Sequence, residues 1–335
     1  MAKVAINGFG RIGRATFKIL LDTPELEVVA LNDLIPPDNL AYLLKYDSVY
    51  GRYEREVTHE GEALVVGGKR YRITNEKDPA QLPWGELGVD IVFECTGRFT
   101  DREGLQKHLQ AGAKSVILSA PAKDKDVGTV VYGVNRAGED WNIISCASCT
   151  TNCITPVVEI MGRRIGIRKA VMTTVHAYTS SQELVDGPSK KFRRGRAAAV
   201  NLVLTSTGAA KATTKALPQY EGKFDGIAVR APVPVGSIAD ITFITERETY
   251  AEEVNGIFRE EAQSERYRGI LGVTEEALVS SDIIKDPRAS LVDLEMTQVV
   301  DGDLVKVMSW YDNEWGYSNQ MVREAVSIAK ARKPA

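Results

Sequence analysis

The chain has 335 residues, 44% of them hydrophobic and 26% charged, with a net charge of −3. That length suggests two domains, and the charge excludes a strongly basic nucleic-acid surface as a global property. No apolar run reaches the ~20 residues of a bilayer-spanning helix. The start, MAKVAINGFG, enters a strand without a basic-then-apolar leader. Four cysteines, three of them clustered, fit reduced thiols better than a disulfide framework. A cytoplasmic chain with neither a membrane nor a nucleic-acid partner is the expectation.

Ala2 to Asp33 reads as a strand, a glycine turn, a helix and a second strand ending in an acid. Gly8, Gly10 and Gly13 have the GxGxxG spacing. The first permits a tight turn, the second lets backbone approach a pyrophosphate, and the third allows close helix–strand packing. The motif alone is weak, but VAIN precedes it, RATFKILL follows it, and Asp33 stands twenty residues beyond Gly13. An acid there accepts hydrogen bonds from an adenosine ribose diol and repels a 2′-phosphate, so NAD is favoured over NADP. Turns at EGEA and VGGK mark a small antiparallel excursion between Tyr46 and Tyr71. Val89 to Gly97 and Lys114 to Pro121 read as buried parallel strands with a helix between them, continuing a doubly wound sheet. Thr96, Gly97 and Ser119 fall at strand C-terminal ends, where such folds bind ligands.

SCASCTTNC, Ser145 to Cys153, precedes the apolar helical pattern ITPVVEIMGRRIG, which puts Thr150 to Asn152 in the cap and first turn. A thiol at Cys149 then feels the positive helix end and free backbone N–H groups, both of which lower its pKa. Of the three histidines, His59 lies in a polar turn and His108 in a charged helix, so both read as solvated surface. His176 ends the buried strand KAVMTTVH. Cys149 with His176 is therefore the best nucleophile–base pair on offer. Packing of a buried cysteine is the bland alternative. Metal ligation by Cys146, Cys149 and Cys153, with Cys95 as a remote fourth ligand, ranks last because no CxxC pair recurs.

After Met161 the strands lengthen and look antiparallel: KAVMTTVHAY, GKFDGIAVRAPVP, GSIADITFITER and LVKVMSWYD. Helices are expected at Thr207 to Leu217 and Tyr250 to Ala262, and Gly316 to Lys333 reads as an amphipathic helix returning to the first domain. The expected fold is α/β: a Rossmann-type doubly wound parallel sheet plus an α+β catalytic domain with a mixed or antiparallel sheet. Residues 1–149 with 315–335 would form the NAD-binding domain, and 150–314 the catalytic domain. The segment 178–202 lacks a regular pattern, and such long irregular segments are usually functional. Within its KKFRRGR run, Lys190, Lys191, Arg193 and Arg194 read as a solvated or intersubunit face. Arg196 and Arg230, with Thr179, Thr207 and Gly208, suit anion pockets.

NGFGRIGR, LLKYDSVYG, ASCTTNC, TTVHAYT, STGAAKA and WYDNEWGYS, in that order, resemble segments of the phosphorylating glyceraldehyde-3-phosphate dehydrogenases over nearly the whole chain. The resemblance implies that Cys149 attacks the aldehyde of glyceraldehyde 3-phosphate, while His176 holds the thiolate and then removes the hydroxyl proton. Inorganic phosphate would release 1,3-bisphosphoglycerate from a thioester, with NAD reduced. The resemblance also implies an attacking-phosphate site at Ser148, Thr150, Thr207 and Gly208, and a substrate-phosphate site at Thr179, Arg196 and Arg230. It places Arg11 and Ile12 under the pyrophosphate, Asp33 at the adenosine ribose, Lys77 near the adenine, and Asn313 at the nicotinamide carboxamide beside Tyr317. It implies a homotetramer whose long loop lines a neighbour's cofactor site.

Three departures qualify the resemblance. Ser180 and Ser181 stand where an asparagine and an acid are frequent, Gly187 where a leucine often precedes Pro188, and Cys146 where an asparagine is frequent. Ser181 and Gly187 leave room for NADP as a secondary cofactor. Cys146 reads as small-residue packing, with sensitivity to oxidants as the alternative. The rival enzymes are an erythrose-4-phosphate dehydrogenase releasing acid by hydrolysis, and an NADP or dual-cofactor variant serving carbon fixation or gluconeogenesis. Cys149, His176 and Asn313 argue against a non-catalytic binding protein.

Overall fold

The computed structural model describes residues 1–136, 138 and 142–332. The first elements are β1 (Ala2–Asn7), α1 (Arg11–Leu20), β2 (Leu26–Asn32), α2 (Pro37–Lys45), β3 (Tyr46–Asp47), β4 (Gly51–Arg52), β5 (Val57–Glu60), β6 (Ala63–Val66) and β7 (Lys69–Thr74). Next come α3 (Trp84–Leu87), β8 (Ile91–Glu94), α4 (Arg102–Gln110), β9 (Ser115–Leu118), β10 (Gly128–Thr129) and β11 (Ile143–Ser145). The remainder is α5 (Cys149–Arg164), β12 (Ile167–Ala177), β13 (Val203–Ser206), α6 (Ala209–Ala216), β14 (Phe224–Ala231), β15 (Ser237–Thr245), α7 (Ala251–Gln263), β16 (Leu271–Thr274), β17 (Ser290–Val300), β18 (Leu304–Tyr311) and α8 (Trp315–Ala331). Contacts divide the chain into two units. The first comprises Met1–Val130, Arg136–Ala147 and the chain from Ser318 onward; the second comprises Val131–Asn135 and Ser148–Tyr317.

The first unit holds a nine-stranded sheet in the order β10-β11-β9-β8-β1-β2-β7-β6-β5. Strands from β10 to β7 run parallel, and β6 and β5 extend the sheet antiparallel, as the turns between Tyr46 and Tyr71 suggest. Val4 to Ile6, Ile91 to Phe93 and Val116 to Leu118 are buried throughout, which is why these strands read as unbroken apolar runs. The chain leaves β1 through α1 to β2 on one side, and later returns through β8 on the other. Such a reversal opens a crevice outside the strand ends, where doubly wound folds bind nucleotides. Gly8 turns the chain there at φ +93°, and a Cβ on it would lie 2.6 Å from Thr96 N. A Cβ on Gly13 would lie 2.0 Å from Gly8 O, so the glycine turn and α1 approach as only glycines permit.

The second unit is a seven-stranded mixed sheet, β13-β14-β12-β15-β18-β17-β16. Its core lies on one face, where Ile154, Val157 and Met161 of α5 and Val254 and Phe258 of α7 join Met172, Ile241, Phe243 and Val307 in one cluster. The alternation along β12 and β14 turns Val171 and Ile227 outward, 61% and 51% exposed.

Several expected boundaries move for local reasons. Gly208 and Tyr250 are N-caps, so α6 and α7 begin one residue later than each cap. Strands β16 and β17 were not expected from the sequence, since the acids in SLVDLEMTQVV hide a strand that is buried mainly in its first half. The segment 178–202 contains two short 3-10 turns, Phe192–Gly195 and Ala198–Val200. The expected end of α8, Lys333, lies outside the described residues.

His108 corrects the sequence reading. It is fully buried rather than solvated, because the charged residues of α4 occupy only its outer side while Leu105 and His108 face inward.

In α8, Glu324 is also buried, and burial pushes its carboxyl up to about 7 against the opposing charge of Arg136. A carboxyl raised on folding stabilises below its unfolded value, 4.5, and this contribution is lost as pH rises through about 7. Glu324→Gln is expected to stabilise the protein by about 2 kcal/mol at pH 8 and to change little at pH 5. Thermal melting of both proteins at the two pH values checks this.

Candidate active site

The second unit brings a thiol, an imidazole and a guanidinium together. Ala147, just before α5, has φ 54°, a left-handed backbone that costs a non-glycine residue about 1 kcal/mol or more. Ser148 then caps α5, its Oγ accepting from Thr151 N at 3.1 Å. The cap therefore lies two residues earlier than the sequence suggests, and Cys149 is the first helical residue. Its Sγ is 3.3 Å from Nε2 of His176, which β12 presents near its C-terminal end. Nδ1 of that ring lies 2.6 Å from Ala177 O and 2.9 Å from Arg230 Nη1, which also donates to Ala177 O at 2.9 Å. The hydroxyl of Tyr311 joins Thr150 Oγ1 (2.9 Å) to Thr174 Oγ1 (2.7 Å), tying α5 to β12 behind the pair.

Electrostatics at the pair run against the sequence expectation. Burial pushes the Cys149 thiol up, and this outweighs the lowering by Arg230 and by the N–H and hydroxyl of Thr150. Burial likewise drives His176 down to about 3, with the Arg230 charge acting in the same direction. Helix-end N–H groups do reach the sulfur, but desolvation is the larger effect. The other thiols are poorer nucleophiles still: burial pushes Cys95 and Cys153 up to about 12, and Cys146 well above its ordinary value.

The anion-binding candidates separate into groups. Arg230 has a buried Nε with no hydrogen-bond partner among the described residues. Thr179 pairs with Ser181 at 2.9 Å, and Arg194 donates to the same Ser181 Oγ (3.3 Å) and to Thr205 Oγ1 (3.1 Å). Arg194 also acts electrostatically on both His176 and Arg230. Arg196 is instead exposed and ion-paired with Asp186 at 2.7 Å. The sequence reading had dismissed Arg194 as surface, and nothing in its immediate neighbours distinguishes the two arginines. Thr207 Oγ1 accepts from Ala209 N next to the cap residue Gly208, whose α-carbon faces open space. Asn313 turns its carbonyl inward, where Oδ1 accepts from Gly236 N and Ser237 Oγ, leaving its amide N–H groups as donors. Tyr317 is buried in the first turn of α8.

In the first unit, Gly10 is the N-cap of α1 and makes no side-chain cap hydrogen bond, and Arg11 and Ile12 open the helix. Arg11 pairs with Asp47 at 3.2 Å. Asp33 closes the turn by accepting from Phe9 N (2.6 Å) and Ile35 N (3.0 Å). Gly97 has φ +69°, Ser119 follows β9, and Lys77 is exposed beyond β7. Among the described residues, no group of three His, Cys, Asp or Glu side chains is arranged to hold a metal ion, and no helix is long and apolar enough to cross a membrane.

A glycine turn that only unsubstituted α-carbons allow, set at the reversal of a doubly wound sheet, puts this chain among the NAD-dependent oxidoreductases. Residues 2–102 match the family model of the glyceraldehyde 3-phosphate dehydrogenase NAD binding domain, and residues 148–313 match that of the C-terminal domain. The chain belongs to the glyceraldehyde 3-phosphate dehydrogenase family. It is 50% identical over 330 residues to the enzyme of that name from Streptomyces coelicolor, covering 97% of this chain and 98% of the relative. The corresponding values are 50% over 331 residues for glyceraldehyde-3-phosphate dehydrogenase 1 of Bacillus subtilis and 51% over 330 for the Geobacillus stearothermophilus enzyme, each covering 98% of both chains.

His176 carries a testable linkage. A base depressed on folding contributes stability above its unfolded value, 6.5, and loses it as pH falls toward about 3. The native protein should therefore lose about 2 kcal/mol through this residue between pH 7 and pH 5, and His176→Asn should not lose that share. Denaturant titrations of the two proteins across that range measure the difference.

Proposed function

We propose that this chain oxidises D-glyceraldehyde 3-phosphate to 1,3-bisphosphoglycerate in a phosphate-dependent reaction. The observation that carries the reading is the 3.3 Å contact of Cys149 with His176 beside a buried arginine holding an unused donor. Arg230 and Arg194, with Thr179, bind the phosphate of the substrate, and Arg196 is replaced in that role by Arg194. An anion on Arg230 offsets the guanidinium charge that opposes the imidazolium. Substrate binding thereby favours proton transfer from the Cys149 thiol to His176. The thiolate adds to the aldehyde carbon, and the oxyanion that forms, held by the Cys149 N–H, takes the proton from the imidazolium to give a thiohemiacetal and a neutral His176. His176 then takes the hydroxyl proton as the thioester forms. NAD, when bound, supplies the hydride acceptor for that oxidation. Inorganic phosphate, held by Ser148, Thr150, Thr207 and Gly208, attacks the thioester carbonyl, and Cys149 leaves as thiolate.

For the cofactor, Gly8, Gly10, Gly13, Arg11 and Ile12 hold the pyrophosphate and Asp33 the adenosine ribose. Lys77, Thr96, Gly97 and Ser119 flank the dinucleotide, and Asn313 with Tyr317 orients the carboxamide. NAD is preferred. NADP serves as a secondary cofactor, since Gly187 carries no side chain where a Cβ would already touch Glu183 at 3.5 Å and Val185 O at 3.7 Å. The outward apolar face at Val171 and Ile227, with exposed Leu204 on β13, supports a homotetramer. Four free cysteines support a cytoplasmic location.

Initial rates with NAD and NADP, each with and without inorganic phosphate, test this reading. Phosphate-dependent NAD reduction, lost by about 10³-fold or more in Cys149→Ser, is expected. Rates indifferent to phosphate would point to hydrolytic release and sink it.

A further inference from the structure

The first unit contains a buried polar chain that the reaction does not use. Trp84, His108 and Glu94 are all fully buried, and Asn7 and Asn32 nearly so. Trp84 Nε1 can only donate, and it lies 3.0 Å from His108 Nδ1. That fixes the tautomer: His108 must carry its proton on Nε2, which donates to Glu94 Oε2 at 3.0 Å. From the other side, Thr74 Oγ1 and Glu76 N donate to Asn32 Oδ1, Asn32 Nδ2 donates to Asn7 Oδ1 (2.7 Å), and Asn7 Nδ2 donates to Glu94 Oε2 (2.6 Å). Glu94 Oε1 accepts from the N–H and hydroxyl of Thr96. Asn32 Nδ2 also donates to Glu76 O (2.9 Å), but the side-chain links from Trp84 through His108 and from Asn32 through Asn7 both run toward one carboxylate.

Among the described residues Glu94 is ion-paired with no lysine or arginine; such a buried carboxylate is expensive, and apolar side chains would fill the same space at lower cost. What apolar residues cannot do is gather donors from several strand ends into one geometry. Asn7, Asn32, Thr74 and Glu94 end β1, β2, β7 and β8 at the crevice of the sheet reversal, while Trp84 and His108 reach Glu94 from α3 and α4. The strand-end members abut residues that face the dinucleotide in the reading above: Asn7 precedes Gly8, Asn32 precedes Asp33, Glu76 precedes Lys77, and Thr96 is itself a member. Gly8 also packs directly against the backbone of Thr96.

We propose that Glu94, His108 and Trp84 are positioning residues for NAD. They set the spacing of the Gly8 turn, Asp33 and Thr96 through a hydrogen-bond chain whose direction the carboxylate dictates. The inference rests on the cofactor contacts proposed above.

The test compares Glu94→Gln, His108→Phe and His108→Gln with the parent. Glu94→Gln keeps the shape but places an amide where donors converge. At position 108, glutamine can accept from Trp84 and donate to Glu94, whereas phenylalanine can do neither. KM for NAD should rise about tenfold or more in Glu94→Gln and His108→Phe, the worth of a hydrogen bond to a charged group. kcat should fall much less, and His108→Gln should recover most of the loss. The alkylation rate of Cys149 by iodoacetamide reports whether the second unit is intact in each protein. Parent-like KM in all three variants would overturn the inference, and so would an equal loss in His108→Phe and His108→Gln, which is what packing alone predicts. Should Glu94→Gln fail to fold, the two His108 variants decide. A parent that does not bind NAD would sink the cofactor reading itself.

Discussion

The chemistry of the second unit depends on holding the first turn of α5 out of water while leaving its backbone N–H groups useful. Those N–H groups have no partners within the helix. Ser148 satisfies one of them, and the sulfur of Cys149 lies against others. The position is enforced from behind. Ile154, Val157 and Met161 anchor the helix in the core, while Tyr311 binds Thr150 to Thr174 on the strand that carries His176. A contact between groups 27 residues apart is thereby fixed by packing on one side and a shared hydroxyl on the other.

Both units place ionisable groups where water is scarce, and they settle the cost in different ways. In the second unit the imidazole is kept uncharged by burial and by an adjacent guanidinium, so the unliganded site is held back from its charged form. In the proposed reaction an anion relieves that opposition, which would tie reactivity to the arrival of a phosphorylated substrate. In the first unit Glu94 collects donors from side chains and backbone, and the result is order among strand ends rather than reactivity.

The architecture was largely legible because its signals are local. The GxGxxG spacing, the unbroken apolar runs of β1, β8 and β9, and the alternation in β12 and β15 each follow from a period and a neighbour. Cys149 and His176 could be paired because so few alternatives exist. What stayed hidden depends on facing rather than spacing. His108 sits in DREGLQKHLQ, where charges on one helix side mask a buried face that only Trp84 and Glu94 reveal. Arg194 and Arg196 are two residues apart in an irregular segment, and which of them turns toward the hydroxyls is decided by Asp186 capturing the other. The thiol's protonation was misjudged for a related reason, since the helix end can be read from sequence but the depth of burial cannot.

Cys149, Cys153 and Val157 follow one another at four-residue intervals along α5, so the proposed nucleophile lies on the same stripe as the core. A helix turns about 100° per residue. A single codon inserted or deleted within its first two turns would therefore swing the sulfur a quarter-turn or more from the stripe that anchors it, however conservative the added residue. Substitution can reshape the surroundings of the thiol, and the segment 178–202 has room to change length. Between Cys149 and Val157, the count of residues is itself the invariant.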